Sequence, residues 1–332
     1  MKQINWGIIG CGKVTEKKSG PAFNKVEGSR LVAVMRRNAA LARDYARRHG
    51  IPRWYDKAKD LINDPEVNAI YVATPPSSHA EYAIAAMRAG KPVYVEKPMA
   101  RTYEECLEMN RVSAETGMPL FVAYYRRRLP GFLKIKEWLE TGKIGTPRLV
   151  SLRLLLPPRR EDLDRHNPPW HVIPEISGAG YFYDLASHQF DILDFFFGPV
   201  KKTQSVVTNM AGLYEAEDTV VADFTFDTGV LGQGMWHFAA TPEDKTDTLT
   251  IYGSEGSIHF STFETIPVRL VTGTGTSEYH YNNPENIQFN LIKTVVEELQ
   301  GKGKGLCPST GISAARTSRI LENIVKSYYV KR

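Results

Sequence analysis

Glu96, Lys97 and Pro98 follow directly on the apolar run Val93-Tyr94-Val95. Proline has no N–H with which to continue a strand ladder, so the run must stop here. Two adjacent charges at a buried strand's end either form a surface ion pair or are presented to a ligand. An ammonium such as that of Lys97 could steady a developing oxyanion. A second candidate pair is Asp184 and His188. Four residues apart in a helical pattern, they share one face. Histidine titrates near neutral pH, so the pair could exchange a hydroxyl proton, or simply do ordinary work on a helix face. A third stretch is Gly7-Ile8-Ile9-Gly10-Cys11-Gly12-Lys13-Val14-Thr15. Gly10 suits a tight turn, and Gly12 lets backbone N–H groups approach a pyrophosphate, with Lys13 and Val14 continuing along the cofactor. Thr15 stands where glycine or alanine is common, and Gly20-Pro21 interrupts the helix that follows.

These residues need a scaffold that brings strand ends together. Apolar, β-rich runs occur at 5–9, 31–35, 69–73, 92–95 and 120–123, and helical patterns lie between them at 39–49, 57–62, 78–89 and 103–116. That alternation predicts βαβ units and a parallel sheet. The runs are apolar on both faces, as a sheet covered on both sides requires. In such a sheet ligands bind past the carboxyl ends of the strands, where the glycine turn, Glu96 and Lys97 all lie. After residue 123 the texture changes. A helix at 131–140, a strand at 148–155, a proline-rich loop at 157–180 and a helix at 180–197 precede strands at 200–208, 219–226, 230–238, 246–252, 257–260 and 267–272. Short turns between successive strands predict a mostly antiparallel sheet. Helices at 284–299 and 311–329 close the chain. The reading is α/β: a dinucleotide-binding Rossmann domain at 1–123 and, at 124–332, an α+β domain on a largely antiparallel open sheet.

The second strand ends in Arg36-Arg37. The residue that commonly holds the ribose hydroxyls of NAD at this place is acidic. A guanidinium pairs bidentately with phosphate, so NADP is favoured, with NAD the alternative if these arginines are merely solvated. The other basic clusters, Arg47-Arg48, Arg126-Arg127-Arg128 and Arg159-Arg160, fall in separate elements. With a net charge of only +5 they make no continuous basic face. Nucleic-acid binding is therefore not expected. No apolar run reaches the roughly 20 residues of a spanning helix, so no membrane is expected either. The first strand begins too early and is too broken by glycine to be a secretory signal. Cys11, Cys106 and Cys307 have no metal or disulfide spacing. The expected compartment is the cytoplasm, and no metal site is expected.

The chain resembles the glucose–fructose oxidoreductase / inositol dehydrogenase (Gfo/Idh/MocA) family over nearly its whole length. The resemblance rests on Gly10-Cys11-Gly12, on Ala73-Thr74-Pro75-Pro76-Ser77-Ser78-His79-Ala80-Glu81 and on Ala89-Gly90-Lys91-Pro92-Val93-Tyr94-Val95-Glu96-Lys97-Pro98. It rests also on Gly180-Tyr181-Phe182-Tyr183-Asp184-Leu185-Ala186-Ser187-His188-Gln189-Phe190-Asp191. It implies that Lys97 reaches the active site across a cis Lys97–Pro98 bond. It implies that Thr74, Pro75, Pro76 and His79 line the nicotinamide side with Glu96, although His79 could be an ordinary helix-start histidine. It places Asp184 and His188 opposite the lysine.

The resemblance further suggests that Arg126 or Arg127 contacts cofactor or substrate, and Tyr124, beside them, belongs to the same stretch. Arg126 is assigned to the cofactor, and Tyr124 and Arg127 to the substrate. Trp170 and His171, in the proline-rich loop, are candidates for the substrate wall, although a loop tryptophan is as often a core plug. The implied activity is hydride transfer between nicotinamide C4 and a carbinol or carbonyl carbon of a sugar, cyclitol or related polyhydroxy compound. His188 would act as general acid/base, Asp184 would orient it or hold a hydroxyl, and Lys97 would stabilise the alkoxide. Two alternatives are a glycosidase working by transient oxidation with bound NAD, and a non-catalytic dinucleotide sensor. A homodimer or homotetramer through the C-terminal sheet is also implied.

Overall fold

The computed structural model describes residues 3–164 and 166–330. They divide into two units: one runs to Tyr125 and includes Pro284–Ala315, and the other holds Arg126–Asn283 and the residues from Arg316 onward. The first boundary falls two residues beyond the expected one. The expected continuous second domain is corrected, because Pro284–Ala315 returns to the first unit.

The first unit is a six-stranded sheet in the order β3-β2-β1-β4-β5-β6. Its first half is β1 (Ile4–Ile9), α1 (Lys13–Lys17), α2 (Gly20–Lys25), β2 (Ser29–Met35), α3 (Ala39–His49), β3 (Arg53–Tyr55) and α4 (Ala58–Asn63). Its second half is β4 (Ala69–Val72), α5 (His79–Arg88), β5 (Val93–Val95), α6 (Tyr103–Thr116) and β6 (Leu120–Val122). All pairings are parallel. β4, β5 and β6 are buried at every position, as the unbroken apolar runs imply. The strand order reverses between β1 and β4, which opens a crevice at their carboxyl ends. Sequence signals fix the helix ends: Asn38 and Thr102 cap α3 and α6 by accepting the N–H groups of Leu41 and Glu105. Gly50 and Gly117 close the same helices in the left-handed conformation.

The second unit contains α7 (Pro130–Glu140), β7 (Pro147–Leu155), α8 (Pro174–Ser177) and α9 (Tyr181–Phe197). The remaining strands are β8 (Val200–Thr208), β9 (Thr219–Phe226), β10 (Leu231–His237), β11 (Thr246–Gly253), β12 (Gly256–Phe260), β13 (Val268–Thr272) and β14 (Gly275–Tyr279). Their sheet has the order β14-β13-β12-β11-β7-β10-β9-β8. It is antiparallel except where β10 lies parallel to β7. Burial alternates along β9 and β10, so one face carries Val220, Ala222, Phe224 and Trp236 into the core. There the Trp236 ring stacks on Phe190 and meets Phe182 edge-on, both from α9. α10 (Phe289–Leu299) belongs to the first unit, and α11 (Gly311–Tyr329) begins there and ends in the second.

Candidate active site

The glycine turn sits at the carboxyl end of β1, in the crevice. Gly10 has φ +94°, and a Cβ there would stand 2.7 Å from Thr74 Cγ2 and 2.9 Å from the Ala73 carbonyl carbon. Only glycine fits. A Cβ on Gly12 would meet nothing closer than the Gly10 carbonyl at 3.8 Å, so the backbone here faces open space. That space admits a diphosphate against bare backbone, which is the fit a dinucleotide needs. Thr15 is buried; its hydroxyl accepts the Gly12 N–H at 3.1 Å and donates to the Gly12 carbonyl at 2.9 Å. Threonine therefore serves as the brace of the turn. Tyr45 adds a second brace from α3, donating to Thr15 O at 2.8 Å. Lys13 is exposed and Val14 half-buried beside the turn. Arg36 and Arg37 are both exposed just past β2, and Arg36 Nη1 lies 3.5 Å from Cys11 O.

Thr74 and Pro75 are half-buried past β4, and Pro76 is buried. His79 is fully buried, with Nδ1 3.0 Å from Pro98 O and Nε2 2.7 Å from Thr74 O. Burial lowers its pKa, and the hydrogen bonds to the Thr74 and Pro98 carbonyls oppose that fall. In this geometry it is a strut joining the loop after β4 to the loop after β5. The Lys97–Pro98 bond is cis.

Glu96 is buried at the end of β5. Its Oε1 accepts from the Tyr71 hydroxyl at 2.5 Å and from Gln288 Nε2 at 2.7 Å, and its Oε2 accepts from Lys97 N at 3.2 Å. Tyr94 completes the cluster by donating to Gln288 Oε1 at 2.9 Å. Burial, followed by the Glu96 charge, pushes the Tyr71 phenol well above its ordinary pKa, so it stays a donor. Glu96 thus holds the backbone from which Lys97 projects. Sequence reasoning misses Gln288 and Tyr71. No local pattern marks Gln288, because its partner lies 192 positions away. Tyr124, assigned to the substrate, is fully buried within the core around β4 to β6.

In the second unit, Asp184 and His188 lie one turn apart on α9, half-buried and buried respectively. The His188 ring meets Phe263 edge-on at 6.0 Å. Gln189 accepts from Trp236 Nε1 at 2.7 Å and fixes the rotation of the helix beside them. Arg126 is buried, donating to Thr262 O at 2.8 Å with its guanidinium over the Phe263 ring. Arg127, assigned to the substrate, lies in a buried ion network. Its Nε and Nη2 hold both carboxylate oxygens of Asp191 at 2.8 to 3.0 Å, and Nη2 also reaches Asp194 at 3.0 Å. Arg316 pairs with the same Asp194 at 2.7 Å. A bidentate arginine inside such a network anchors α9. Trp170 stacks on His171 at 3.8 Å, and His171 lies over Tyr181 at 6.0 Å. Tyr181 donates to Asp162 at 2.5 Å beneath the Arg159 guanidinium, so the proline-rich loop is folded onto the start of α9.

The model of the oxidoreductase family with an NAD-binding Rossmann fold matches residues 4–124, and that of the GFO/IDH/MocA C-terminal domain matches 132–259. The chain belongs to the Gfo/Idh/MocA family. Among members of this family, oxidoreductase P35 of Formosa agariphila is 43% identical over 89% of this chain and 90% of its own. The 1,5-anhydro-D-fructose reductase of Ensifer adhaerens is 29% identical over 90% of this chain and 89% of its own. A solved levoglucosan dehydrogenase in complex with NADH superposes with a TM-score of 0.87 at 23% identity, covering 98% and 96% of the two chains. This Gfo/Idh/MocA chain is an NAD(P)-dependent oxidoreductase acting on CH–OH groups. The glycosidase and sensor alternatives are not favoured by these relatives. Among the described residues no helix is long and apolar enough to cross a membrane.

Proposed function

We propose that the enzyme interconverts a secondary alcohol and a carbonyl on a sugar-like or cyclitol substrate, with Lys97, Asp184 and His188 handling the hydroxyl proton. Lys97 carries most of this reading: its charged side chain follows β5, at the carboxyl end of the parallel sheet, on a backbone whose N–H the buried Glu96 accepts. When bound, the nicotinamide supplies or accepts the hydride at the carbinol carbon. In the oxidative direction His188 takes the hydroxyl proton while the C–H bond breaks and the C=O forms. Asp184, one turn away, orients the imidazole or a neighbouring hydroxyl. The Lys97 ammonium stabilises the alkoxide as it develops. In the reductive direction the same groups return the proton.

The substrate class follows from the names of the relatives, which act on 1,5-anhydro-D-fructose and levoglucosan. Thr74, Pro75, Pro76 and Arg126 are assigned to the cofactor, and Trp170 and His171 to the substrate. NADP is the favoured cofactor, because Arg36 and Arg37 offer two exposed guanidiniums past β2 where a 2′-phosphate would lie. The cytoplasm suits three buried free cysteines. A homo-oligomer would form through the outer face of the eight-stranded sheet.

Replacing Lys97 by Ala should abolish turnover while NADPH still quenches or enhances protein fluorescence on titration; full turnover in that variant sinks the mechanism. Replacing Arg36 and Arg37 together by Ala should weaken NADPH binding about 10-fold or more with little change for NADH, given the strength of charge-assisted phosphate contacts. Equal loss for both cofactors would remove the phosphate assignment and leave the hydride chemistry standing.

A further inference from the structure

α9 is fastened at its start by a group from elsewhere in the chain. Its N-cap is Gly180, which has no side chain to accept a free helical N–H. The carboxylate of Glu217 instead holds the N-cap residue itself, accepting the Gly180 N–H at 2.9 Å on Oε1 and 3.1 Å on Oε2. Tyr329, at the last residue of α11, donates its hydroxyl to Glu217 Oε2 at 2.5 Å. Its neighbour Tyr328 donates to Glu215 O at 3.1 Å. Glu217 is fully buried. The next residue, Asp218, accepts the N–H groups of Met210 and Ala211, so the loop that carries Glu217 into β9 is itself fixed. The approach is too close for any residue but glycine at 180: a Cβ there would stand 2.8 Å from Glu217 O and 2.9 Å from Ala216 Cβ.

We infer that Glu217, set in place by Tyr329, is a positioning residue for the reaction: it fixes the first turn of α9 and so the placement of Asp184 and His188. The inference rests on the reading that those two residues handle the substrate proton. At about 1.5 Å rise per residue, Asp184 lies about 6 Å along the helix from the cap and His188 about 12 Å. A carboxylate at a helix N-terminus also meets the positive end of the helix dipole. The rest of α9 is held separately, by Gln189 on Trp236 and by Arg127 on Asp191 and Asp194. Loosening the cap therefore moves Asp184 most, His188 less and the second half of the helix little.

The test uses the full chain with Tyr329→Phe, Glu217→Gln and Glu217→Ala, and with His188→Ala for comparison. Hydrogen exchange of the α9 amides is followed without substrate. Turnover is followed with NADPH and 1,5-anhydro-D-fructose, and with NADP and levoglucosan, alongside NADPH titration and thermal melts. The expected result is faster exchange at 181–188 with 189–197 unchanged and NADPH affinity unchanged. Turnover should fall least in Tyr329→Phe, further in Glu217→Gln and furthest in Glu217→Ala, up to about 10²-fold, the cost of roughly 1 Å of misplacement. Tyr329→Phe removes one hydroxyl and keeps the test alive if Glu217→Ala does not fold. Unchanged exchange at 181–188, or parental kcat in folded Glu217→Gln when His188→Ala is inactive, overturns the inference alone. Full kcat in His188→Ala overturns the proton-transfer reading, and the inference with it.

Discussion

A buried carboxylate is costly unless its oxygens are satisfied, and Glu96 shows how the chain meets that cost beside its lysine. Tyr71, Gln288 and the Lys97 N–H supply the donors. Replacing Tyr71 by Phe removes one of them without changing the packing of a ring that stacks on Tyr94 at 5.1 Å. Leaving the acceptor short should cost about 1–3 kcal/mol. At about 2–4 °C per kcal/mol for a unit of this size, the melting temperature should drop by several degrees. A differential scanning calorimetry trace superimposable on the parent's would show that the hydroxyl contributes nothing. Glu96, Lys97, Gly10 and Gly12 are legible in the sequence because each lies in a short motif whose chemistry is local. Gln288, Tyr71 and Glu217 are not, because what they do depends on a partner brought close only by the fold. Arg127 is legible as a charge, but its buried ion pairs are not, since nothing near it in sequence announces Asp191 and Asp194.

At the scale of the element, α9 joins the two kinds of information. Its span is readable from apolar periodicity, but its N-cap residue is held by Glu217, 37 positions on. Burial pushes the Glu217 carboxyl up to about 7 from 4.5, and the neighbouring Asp218 adds to the rise, while the Tyr329 hydroxyl and the Gly180 N–H oppose it. Tyr214 also feels this charge. The folded chain thus holds this proton more tightly than the unfolded chain does. Its contribution to stability is full below about 4.5 and is lost as pH rises through about 7. Glu217→Gln removes that titration. The melting temperature of the parent minus that of the variant should therefore be greatest at pH 5 and smaller at pH 8. A difference that stays flat or grows with pH would contradict the burial of this carboxyl.

Other elements escape the sequence reading for physical reasons. β3 is three residues long, too short to show alternation, and β14 is nearly all exposed, with no apolar pattern. Residues 284–288 read as helix, yet α10 begins at Phe289. Asn286 and Gln288 are occupied by the carbonyls of Lys17 and Lys18 at the end of α1, groups that a short helix leaves open.

At the scale of the whole molecule, the parallel pairing of the six-stranded sheet follows from alternation and the rule that parallel crossovers carry helices. The order of the eight-stranded sheet does not, because β7 pairs with β10 and β11, far later in the chain. Among the described residues, one face of that sheet carries the exposed apolar side chains Leu149, Val206, Val221, Leu231 and Tyr252. Tyr252, Leu149 and Leu231 lie in register across β11, β7 and β10, and Val206, Val221 and Met235 across β8, β9 and β10. Leu231 is 55% exposed and Val206 67%. The two rows are separated by the polar row Ser151, Gln233, Asp223 and Gln204, and together they form a mixed face with exposed apolar side chains that fits burial against a second copy. A stable interface buries on the order of 1,600 Å² in total, which a sheet of eight strands can supply. The protein should therefore sediment as a dimer or tetramer at micromolar concentration. Leu231→Lys with Val206→Lys would place ammonium groups on that face, where pairing would bury them without partners at a cost of several kcal/mol each. The double variant should sediment as a monomer with an unchanged far-UV spectrum. A parent that is already monomeric, or a variant that still assembles, would show that this face is not the interface.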